Sequence, residues 1–315
     1  MGGRIVSQRK HITVLCGGES PEAEISRVTG SSVAEGLSRS FEVELVDLPT
    51  DALPAEPLTP GTVVFPAMHG PFGEDGQLQQ LLESAGIAYA GCAPEASALC
   101  MDKVRSKEVV ADCGFKRARD FRFLAQSKPL AEQIIESVGE QIVVKPSNMG
   151  SSVGVHMVDG LAELRTVLEE LPDGQWMAEE RIVGSEYTVG ILEGEAMGIV
   201  EIRPIKGFYD LQNKYTPGAT QYVFPAPIDE TLACKVKKFA EHAFTACGCR
   251  DFARLDFIIT SDERPYFLEI NTLPGMTPTS LLPKSAFCVS LDFPNLVKRM
   301  VEPAFKRADN QSIAH

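Results

Sequence analysis

Apolar runs and turn residues alternate regularly through the first third of the chain. Three runs rich in apolar and β-branched residues predict strands, at residues 11–16, 41–48 and 62–68. Gly17 and Gly18 predict a turn after the first run, and Ser20 followed by Pro21 predicts the N-cap and first residue of a helix. The opening segment therefore reads as a strand, loop and helix unit.

A second helix is marked by the spacing of its apolar residues between Asp75 and Gly86. Four positions follow the i, i+3, i+4, i+7 pattern of an amphipathic helix: Leu78, Leu81, Leu82 and Ala85. Strands that alternate with helices over residues 1–94 predict a small open parallel sheet, whose ligand sites lie at the loops after the strand ends. The glycine-rich loops at Gly17 and Gly70 are such loops.

The rest of the chain mixes helices and strands without that strict alternation. Helices are predicted at residues 95–112, 161–171 and 230–247. Strands are predicted at residues 141–145, 176–180, 186–192 and 196–203. A polar stretch, 208–227, predicts a loop, and the turn at 183–185 predicts a boundary. The predicted domains are an α/β unit at 1–94 followed by two α+β units, at 95–183 and 184–315.

A polar turn at 261–265 separates two apolar runs, 252–259 and 266–271, and predicts an antiparallel hairpin. We predict a regular antiparallel register without a bulge. It puts apolar residues on one face of the hairpin and polar residues on the other. The predicted pairs are Leu255 with Ile270, Phe257 with Leu268, Asp256 with Glu269, and Arg254 with Asn271.

Two carboxylates opposite each other on a hairpin need a cation. Their Cβ atoms lie roughly 5 Å apart, and like charges at that separation destabilise a strand pair. Asp256, Glu269 and the amide of Asn271 offer hard oxygen ligands that suit Mg²⁺. The alternative is that Arg254 alone neutralises both acids on a solvated face. The pattern leaves both readings open.

The segment 145–154, KPSNMGSSVG, follows an apolar strand and is rich in small residues. It is not a Walker A sequence, because its lysine precedes the glycines. Its backbone N–H groups and Lys145 can still hold phosphate oxygens, and the loop can move as a lid. The alternative is a flexible connection between two strands.

Several other candidates have an ordinary structural explanation. Lys103 can be a solvated helix-end lysine, His69 a hydrogen-bonded loop histidine, and Glu22 a residue that favours the helix dipole. An acidic surface would account for three more, Glu179, Glu180 and Glu186.

Composition narrows the classes of partner. The formal net charge of −13 disfavours nucleic acid and anionic membrane, so any bound phosphate needs locally placed cations and backbone donors. No stretch approaches the roughly 20 apolar residues that span a membrane. Eight scattered cysteines with no CxxC pair predict a reduced, cytoplasmic environment. The spacing of the histidines argues against a structural zinc site.

Taken together, the motifs resemble the D-alanine–D-alanine ligases of the ATP-grasp superfamily, from about residue 10 to about residue 298. The resemblance rests on eight segments in the order found in that family. They are GGESPEAEIS from Gly17, HGPFGEDG from His69, MDKVRSK from Met101, KPSNMGSSVG from Lys145, residues 179–186, Lys214 with Tyr215, RLDF from Arg254, and EINTLPGMTPTSL from Glu269.

The resemblance implies an ATP-grasp fold in which two α+β domains sandwich ATP, and it implies roles for individual residues. Those assigned to the nucleotide are Lys103 and Lys145 on the phosphates, Glu179 and the backbone of Ile182 on adenine, Glu186 on the ribose, and Lys214. Those assigned to two Mg²⁺ ions, with Mn²⁺ as a possible substitute, are Asp256, Glu269 and Asn271.

The same resemblance implies a substrate side. Glu22 would receive the ammonium of the first D-alanine, with His69 close by, and Ser151 and Tyr215 would link that pocket to two mobile loops. The oxyanion of the second step would be held by Arg254 and the backbone of Gly275. The carboxylate of the second D-alanine would be bound by Ser280 and Leu281, together with Lys214.

The implied activity is the joining of two D-alanines through an acyl phosphate, for peptidoglycan precursor synthesis, by a cytoplasmic homodimer. Glu19 to Pro21 and Arg181 depart from the family pattern without touching these roles. Tyr215 favours an amine as second substrate. The alternatives are a ligase that uses D-lactate or D-serine second, and a catalytically inactive nucleotide-binding module.

Overall fold

Three β-sheets organise the computed structural model, which describes residues 9–54, 56, 58–147, 154–205, 216, 218–277 and 279–313. The first sheet has three strands in the order β2-β1-β3, all parallel. Its strands are β1 His11–Gly17, β2 Glu42–Leu48 and β3 Val63–Pro66. The predicted open parallel sheet is confirmed.

The helix after β1 is Ala23–Ser38, so it starts later than predicted. Ser20 and Pro21 belong to the preceding turn, and the N-cap position is Glu22. The hydroxyl of Ser20 instead donates to the carbonyl of His69, at 2.8 Å, and accepts from the N–H of Glu22. Ser20 therefore ties two loops of the first sheet together, which a local capping rule does not anticipate.

The predicted amphipathic helix is Gln77–Ser84, preceded by a short helix, Pro71–Glu74. Leu78 and Leu82 are fully buried, but Leu81 is 40 % exposed and Ala85 lies beyond the helix end. The buried face instead includes Gln79, whose side-chain amide donates to the carbonyl of Gly73 at 2.7 Å.

The single helix predicted at 95–112 is wrong, because the chain breaks at Asp102. Two α-helices, Pro94–Met101 and Lys103–Val109, are followed by a 3₁₀ turn, Val110–Asp112. Asp102 has extended backbone angles, and its carboxylate accepts from the N–H groups of Val104 and Arg105, at 3.0 and 3.1 Å. It is thus the N-cap of the second helix, whose first residue is Lys103.

The second sheet has four antiparallel strands in the order β4-β7-β5-β6. They are β4 Asp120–Leu124, β5 Gln141–Pro146, β6 His156–Asp159 and β7 Gln175–Glu180. Its helices are Ala131–Val138 and Gly160–Glu170, and a 3₁₀ turn, Ala125–Ser127, follows β4. The sequence patterns predicted β5, β7 and the second helix, and missed the others.

The third sheet has five antiparallel strands in the order β10-β9-β8-β11-β12. They are β8 Ser185–Leu192, β9 Glu195–Pro204, β10 Thr220–Val223, β11 Phe252–Ile259 and β12 Pro265–Asn271. Its helices are Glu230–Ala246 and Leu281–Phe287, and the helix Phe293–Ile313 follows them in the chain. β10 lies inside the stretch predicted as loop, and the last two helices were not predicted.

The β11–β12 hairpin follows the predicted register over three pairs and then departs from it. Arg254 pairs with Asn271, Leu255 with Ile270, and Asp256 with Glu269, as predicted. Beyond a β-bulge Phe257 pairs with Phe267, so its predicted pairing with Leu268 is wrong. The bulge gives the core position to Phe267, which is 1 % exposed, and leaves Leu268 lining a cleft.

The helix Phe293–Ile313 returns to the first sheet. Leu296, Val297 and Met300 are fully buried in one apolar cluster with Ile12 and Val14 of β1. The first sheet therefore completes its core with residues from the far end of the chain. The three domain ranges predicted from the sequence stay a proposal.

An ion pair with a buried carboxylate connects the same helix to both the first and the third sheet. The guanidinium of Arg307 pairs with Asp251 and donates to the carbonyl of Tyr89 at 2.7 Å, while Asp251 accepts from the N–H of Gly91 at 2.9 Å. Asp251 is 6 % exposed.

None of the helices in the described ranges has the length and apolar character needed to cross a membrane.

We expect Arg307→Met to lower the free energy of unfolding by roughly 3 kcal/mol, because Asp251 would keep a buried charge without its partner. Chemical denaturation measures this loss. The control is Arg299→Met on the same helix, whose pair with Glu193 is exposed and should contribute less than about 1 kcal/mol. Equal losses in the two variants would contradict this assignment.

Candidate functional site

A cleft of about 680 Å³ opens between the second and third sheets. At its inner end lies a smaller cavity of about 70 Å³, which also reaches the loops of the first sheet. Lys103, Arg254 and Glu269 line both spaces. A reacting group passed from one space to the other would therefore stay beside these three charges.

The structure brings together the predicted site residues that it describes. Those lining the large cleft are Lys103, Lys145, Glu179, Ile182, Glu186, Arg254, Asp256 and Glu269. Those lining the small cavity, besides the shared three, are Glu22, His69, Asn271, Gly275, Ser280 and Leu281. Three predicted residues, Ser151, Lys214 and Tyr215, lie outside the described residues.

The polar face of the hairpin is buried at Arg254 and Asp256 and partly exposed at Glu269 and Asn271. Arg254 and Asp256 are 3 % and 6 % exposed, and the guanidinium donates to both carboxylate oxygens, at 2.9 and 2.7 Å. Glu269, directly opposite Asp256, pairs with the ammonium of Lys103 at 2.9 Å. The alternative in which Arg254 alone neutralises both acids is wrong, because the ammonium of Lys103 pairs with Glu269.

The predicted metal-binding residues fit a hard divalent cation by their chemistry and position. Asp256 and Glu269 are paired across the strands and both line the large cleft. Asn271 lines the small cavity and adds an amide oxygen, which accepts from the N–H of Leu273 at 3.2 Å. The set holds two carboxylates and one amide. Across the described residues, no group of three His, Cys, Asp or Glu side chains forms a metal site.

Glu179 is a buried anion between two lysines. It is 3 % exposed and forms ion pairs with Lys145 of β5 and with Lys107. Burial and, next in effect, the positive charge of Lys103 together lower the pKa of Lys145 to about 8. Burial likewise lowers the pKa of Lys107 well below its usual value, followed in effect by the charge of Lys145. The acidic-surface reading is therefore wrong for Glu179.

Lys107 is a site residue that the sequence reasoning missed. It is 2 % exposed and lines the large cleft. Its spacing of four residues from Lys103 was the available signal, since residues i and i+4 lie on one face of a helix. Asp102, as the N-cap, sets where that helix starts. It therefore also sets the direction in which the ammonium groups of Lys103 and Lys107 point.

His69 is held on both ring nitrogens beside the small cavity. One nitrogen contacts the hydroxyl of Thr29 at 3.0 Å and the other the carboxylate of Glu74 at 3.2 Å. His69 is thus a hydrogen-bonded loop histidine, as one of its two interpretations predicted. It also lines the small cavity. Gly70, at φ 94°, keeps the loop close to Ser20, where a Cβ would come within 2.6 Å.

The turn before helix Leu281–Phe287 forms the far wall of the small cavity. The hydroxyl of Ser280 accepts from the N–H of Thr277 at 2.9 Å and contacts its hydroxyl at 2.8 Å. The N–H of Ser280 donates back to the carbonyl of Thr277 at 3.0 Å. These contacts fix Ser280 and Leu281 where both face the cavity with Gly275.

The outer part of the large cleft is partly apolar. Val143, Met157 and Leu268 contribute side chains there, beside Ile182. Arg181, the departure noted in the sequence, forms an ion pair with Asp159. Its charge is therefore neutralised by a neighbouring strand.

Comparisons with known proteins agree with this geometry. The family model described as the D-ala D-ala ligase C-terminus matches residues 110–302, and the one described as the D-ala D-ala ligase N-terminus matches residues 49–92.

Two curated relatives are D-alanine–D-alanine ligases, each 41 % identical to this chain over 95 % of its length and 98 % of theirs. They come from Syntrophotalea carbinolica and Anaeromyxobacter dehalogenans. Among solved structures, the D-alanine–D-alanine ligase from Bacillus anthracis complexed with ATP has a TM-score of 0.82 and 30 % identity. That match covers 97 % of this chain and 100 % of that one.

The lowered pKa of Lys145 predicts how stability changes with pH. A folded-state pKa of about 8, below the ordinary 10.5, means that the unfolded chain binds more protons between these values, so stability rises with pH across this window. We expect Lys145→Met to remove on the order of 1 kcal/mol of that rise.

The measurement is the free energy of unfolding at about pH 7.5 and about pH 10. The exposed Lys238 provides the control, because Lys238→Met should leave the rise unchanged. A rise that is the same in Lys145→Met and in the unvaried protein would disprove the assignment.

Proposed function

The chain belongs to the D-alanine–D-alanine ligase family, and from this membership we propose that it joins two molecules of D-alanine in an ATP-dependent reaction. It is an ATP-grasp enzyme that forms D-alanyl-D-alanine, a peptidoglycan precursor, through an acyl phosphate. The other products are ADP and phosphate.

One observation supports this function most directly. The large cleft and the small cavity share Lys103, Arg254 and Glu269, so a nucleotide in one and an amino acid in the other would meet at these charges. A ligase that passes a phosphoryl group to a carboxylate needs that arrangement, because both partners are negatively charged.

We assign the large cleft to ATP. Lys103 and Lys145 reach its inner part and would hold phosphate oxygens, while Glu179 and the backbone of Ile182 would bind adenine and Glu186 the ribose. The apolar side chains of the outer cleft suit a purine ring. Lys214, outside the described residues, keeps the nucleotide role that the family implies.

Lys107 would hold Glu179 in place once Lys145 turns to the phosphates. Its ammonium is buried against the same carboxylate. A nucleotide that competes for Lys145 therefore does not leave Glu179 without a cation.

Asp256, Glu269 and Asn271 would hold two Mg²⁺ ions, for which Mn²⁺ could substitute. Such ions would supply positive charge that offsets the negative charge of the transferred phosphoryl group. Arg254 and Lys103 neutralise the same two carboxylates in this structure, at 2.7 and 2.9 Å.

We assign the small cavity, together with the part of the large cleft beside the shared charges, to the amino acids; at about 70 Å³ the cavity alone is smaller than two D-alanines and must widen when they bind. Glu22 would bind the ammonium of the first D-alanine, with His69 alongside, so that its carboxylate faces the shared charges. That carboxylate attacks the γ-phosphorus, and ADP leaves. Ser151 and Tyr215 are assigned by the family resemblance to the loops that close over this pocket.

The second D-alanine would enter from the turn at Ser280. Ser280 and Leu281, with Lys214, would bind its carboxylate, and its amine attacks the acyl carbon with loss of phosphate. Arg254 and the N–H of Gly275 would stabilise the oxyanion that develops on that carbon.

We propose that the protein is a homodimer and that it acts in the cytoplasm. Light scattering of the pure protein tests the first.

The direct test is phosphate release from ATP by the pure protein with a panel of D- and L-amino acids, with product identification by mass spectrometry. We expect release with D-alanine and none with L-alanine, and D-alanyl-D-alanine as product. Preferential incorporation of D-lactate or D-serine would refute the second substrate. Absence of D-alanine-dependent ADP formation would indicate an inactive module.

We expect Glu269→Gln to lower kcat by about a hundredfold or more, because the hairpin loses one of its two opposed charges. The melting temperature should stay within about 4 °C, since the amide keeps the shape of the carboxylate. Glu263→Gln, in the exposed turn of the same hairpin, is the matched control and should turn over normally. Unchanged activity of Glu269→Gln would contradict the metal assignment.

A further inference from the structure

Lys284 reaches back from the helix Leu281–Phe287 to the turn that precedes it. Its ammonium donates to the carbonyl of Thr279 and to that of Ser280, the latter at 3.4 Å. Both residues line the small cavity. Lys284 therefore contacts two residues of the cavity wall without lining the cavity itself.

The ammonium of Lys284 is held in a defined place. It lies 4.7 Å from the centre of the Tyr222 ring, on β10, which lines the same cavity. The side chain is partly buried, and burial lowers the pKa of Lys284 to about 8. The two carbonyls and the ring face bind its charged form in a site that water reaches only in part.

The two carbonyls matter because they carry partial negative charge beside a cavity assigned to a carboxylate. An unneutralised carbonyl pair would repel an anion, whereas an ammonium bound to both oxygens reverses the sign of the local field. The contacts between Ser280 and Thr277 close one side of the turn, and Lys284 holds the other side.

Given the proposed function, in which Ser280 and Leu281 bind the second D-alanine, we propose that Lys284 is a positioning residue for that substrate. It fixes the carbonyls of Thr279 and Ser280, and its charge selects an acceptor with a free carboxylate over one without.

The test is a competition between two acceptors at equal concentration, D-alanine and D-alaninamide. The amide lacks the carboxylate that must be activated, so it can enter the product only as the second residue. The ratio of D-alanyl-D-alanine to D-alanyl-D-alaninamide, measured by mass spectrometry, gives the acceptor preference and does not depend on how much of the enzyme is folded.

We expect Lys284→Met to lower this product ratio by roughly tenfold, the scale of losing one charged hydrogen-bond partner. The KM of D-alanine as second substrate should rise, while the KM of ATP stays unchanged. Lys284→Arg, which keeps the charge, should retain most of the ratio.

The matched control is Lys235→Met, because Lys235 also lies over an aromatic ring, that of Phe239 at 5.6 Å, but lines neither space of the site. A ratio in Lys284→Met equal to that of the unvaried protein, or an equal shift in Lys235→Met, would overturn this inference and leave the ligase function standing. Failure of the unvaried protein to make any dipeptide would instead overturn the proposed function.

Discussion

Two carboxylates that face each other across a buried strand pair must be neutralised, and the site is arranged around that constraint. Asp256 takes the guanidinium of Arg254 from its own strand, and Glu269 takes the ammonium of Lys103 from a helix outside the third sheet. The hairpin alone does not balance its charge in this structure. The helix that starts after Asp102 therefore packs beside the hairpin. The large cleft and the small cavity meet at this point.

The sequence was informative wherever a local pattern decides the structure. Alternation along the hairpin was sufficient to predict that Asp256 faces Glu269, because a one-residue slip would bury the charges on the apolar side. It could not predict the bulge at Leu268, since alternation assumes one residue per position. The preference of Phe267 for the aromatic core around Phe115 is a tertiary effect.

The sequence predicted the site less well than the fold. The errors concern side chains whose burial or hydrogen bonds depend on elements distant in the sequence. Lys107 has the sequence context of a solvated helical lysine, but β12 packs on its helix and the carboxylate of Glu179 pairs with its ammonium, so the side chain is buried. Ser20 satisfies a local capping rule but bonds to a loop 49 residues away. The family resemblance supplied the roles of Ser151, Lys214 and Tyr215, which the described residues do not include.

The return of the helix Phe293–Ile313 to the first sheet has a consequence for biosynthesis. Ile12 and Val14 are translated well before Leu296, Val297 and Met300, which complete the apolar cluster that they share. Until then β1 presents an apolar surface that a nascent chain must keep away from other chains. The apolar core of the first sheet is therefore completed only after the helix Phe293–Ile313 has been translated, although the strands of that sheet are made long before this helix.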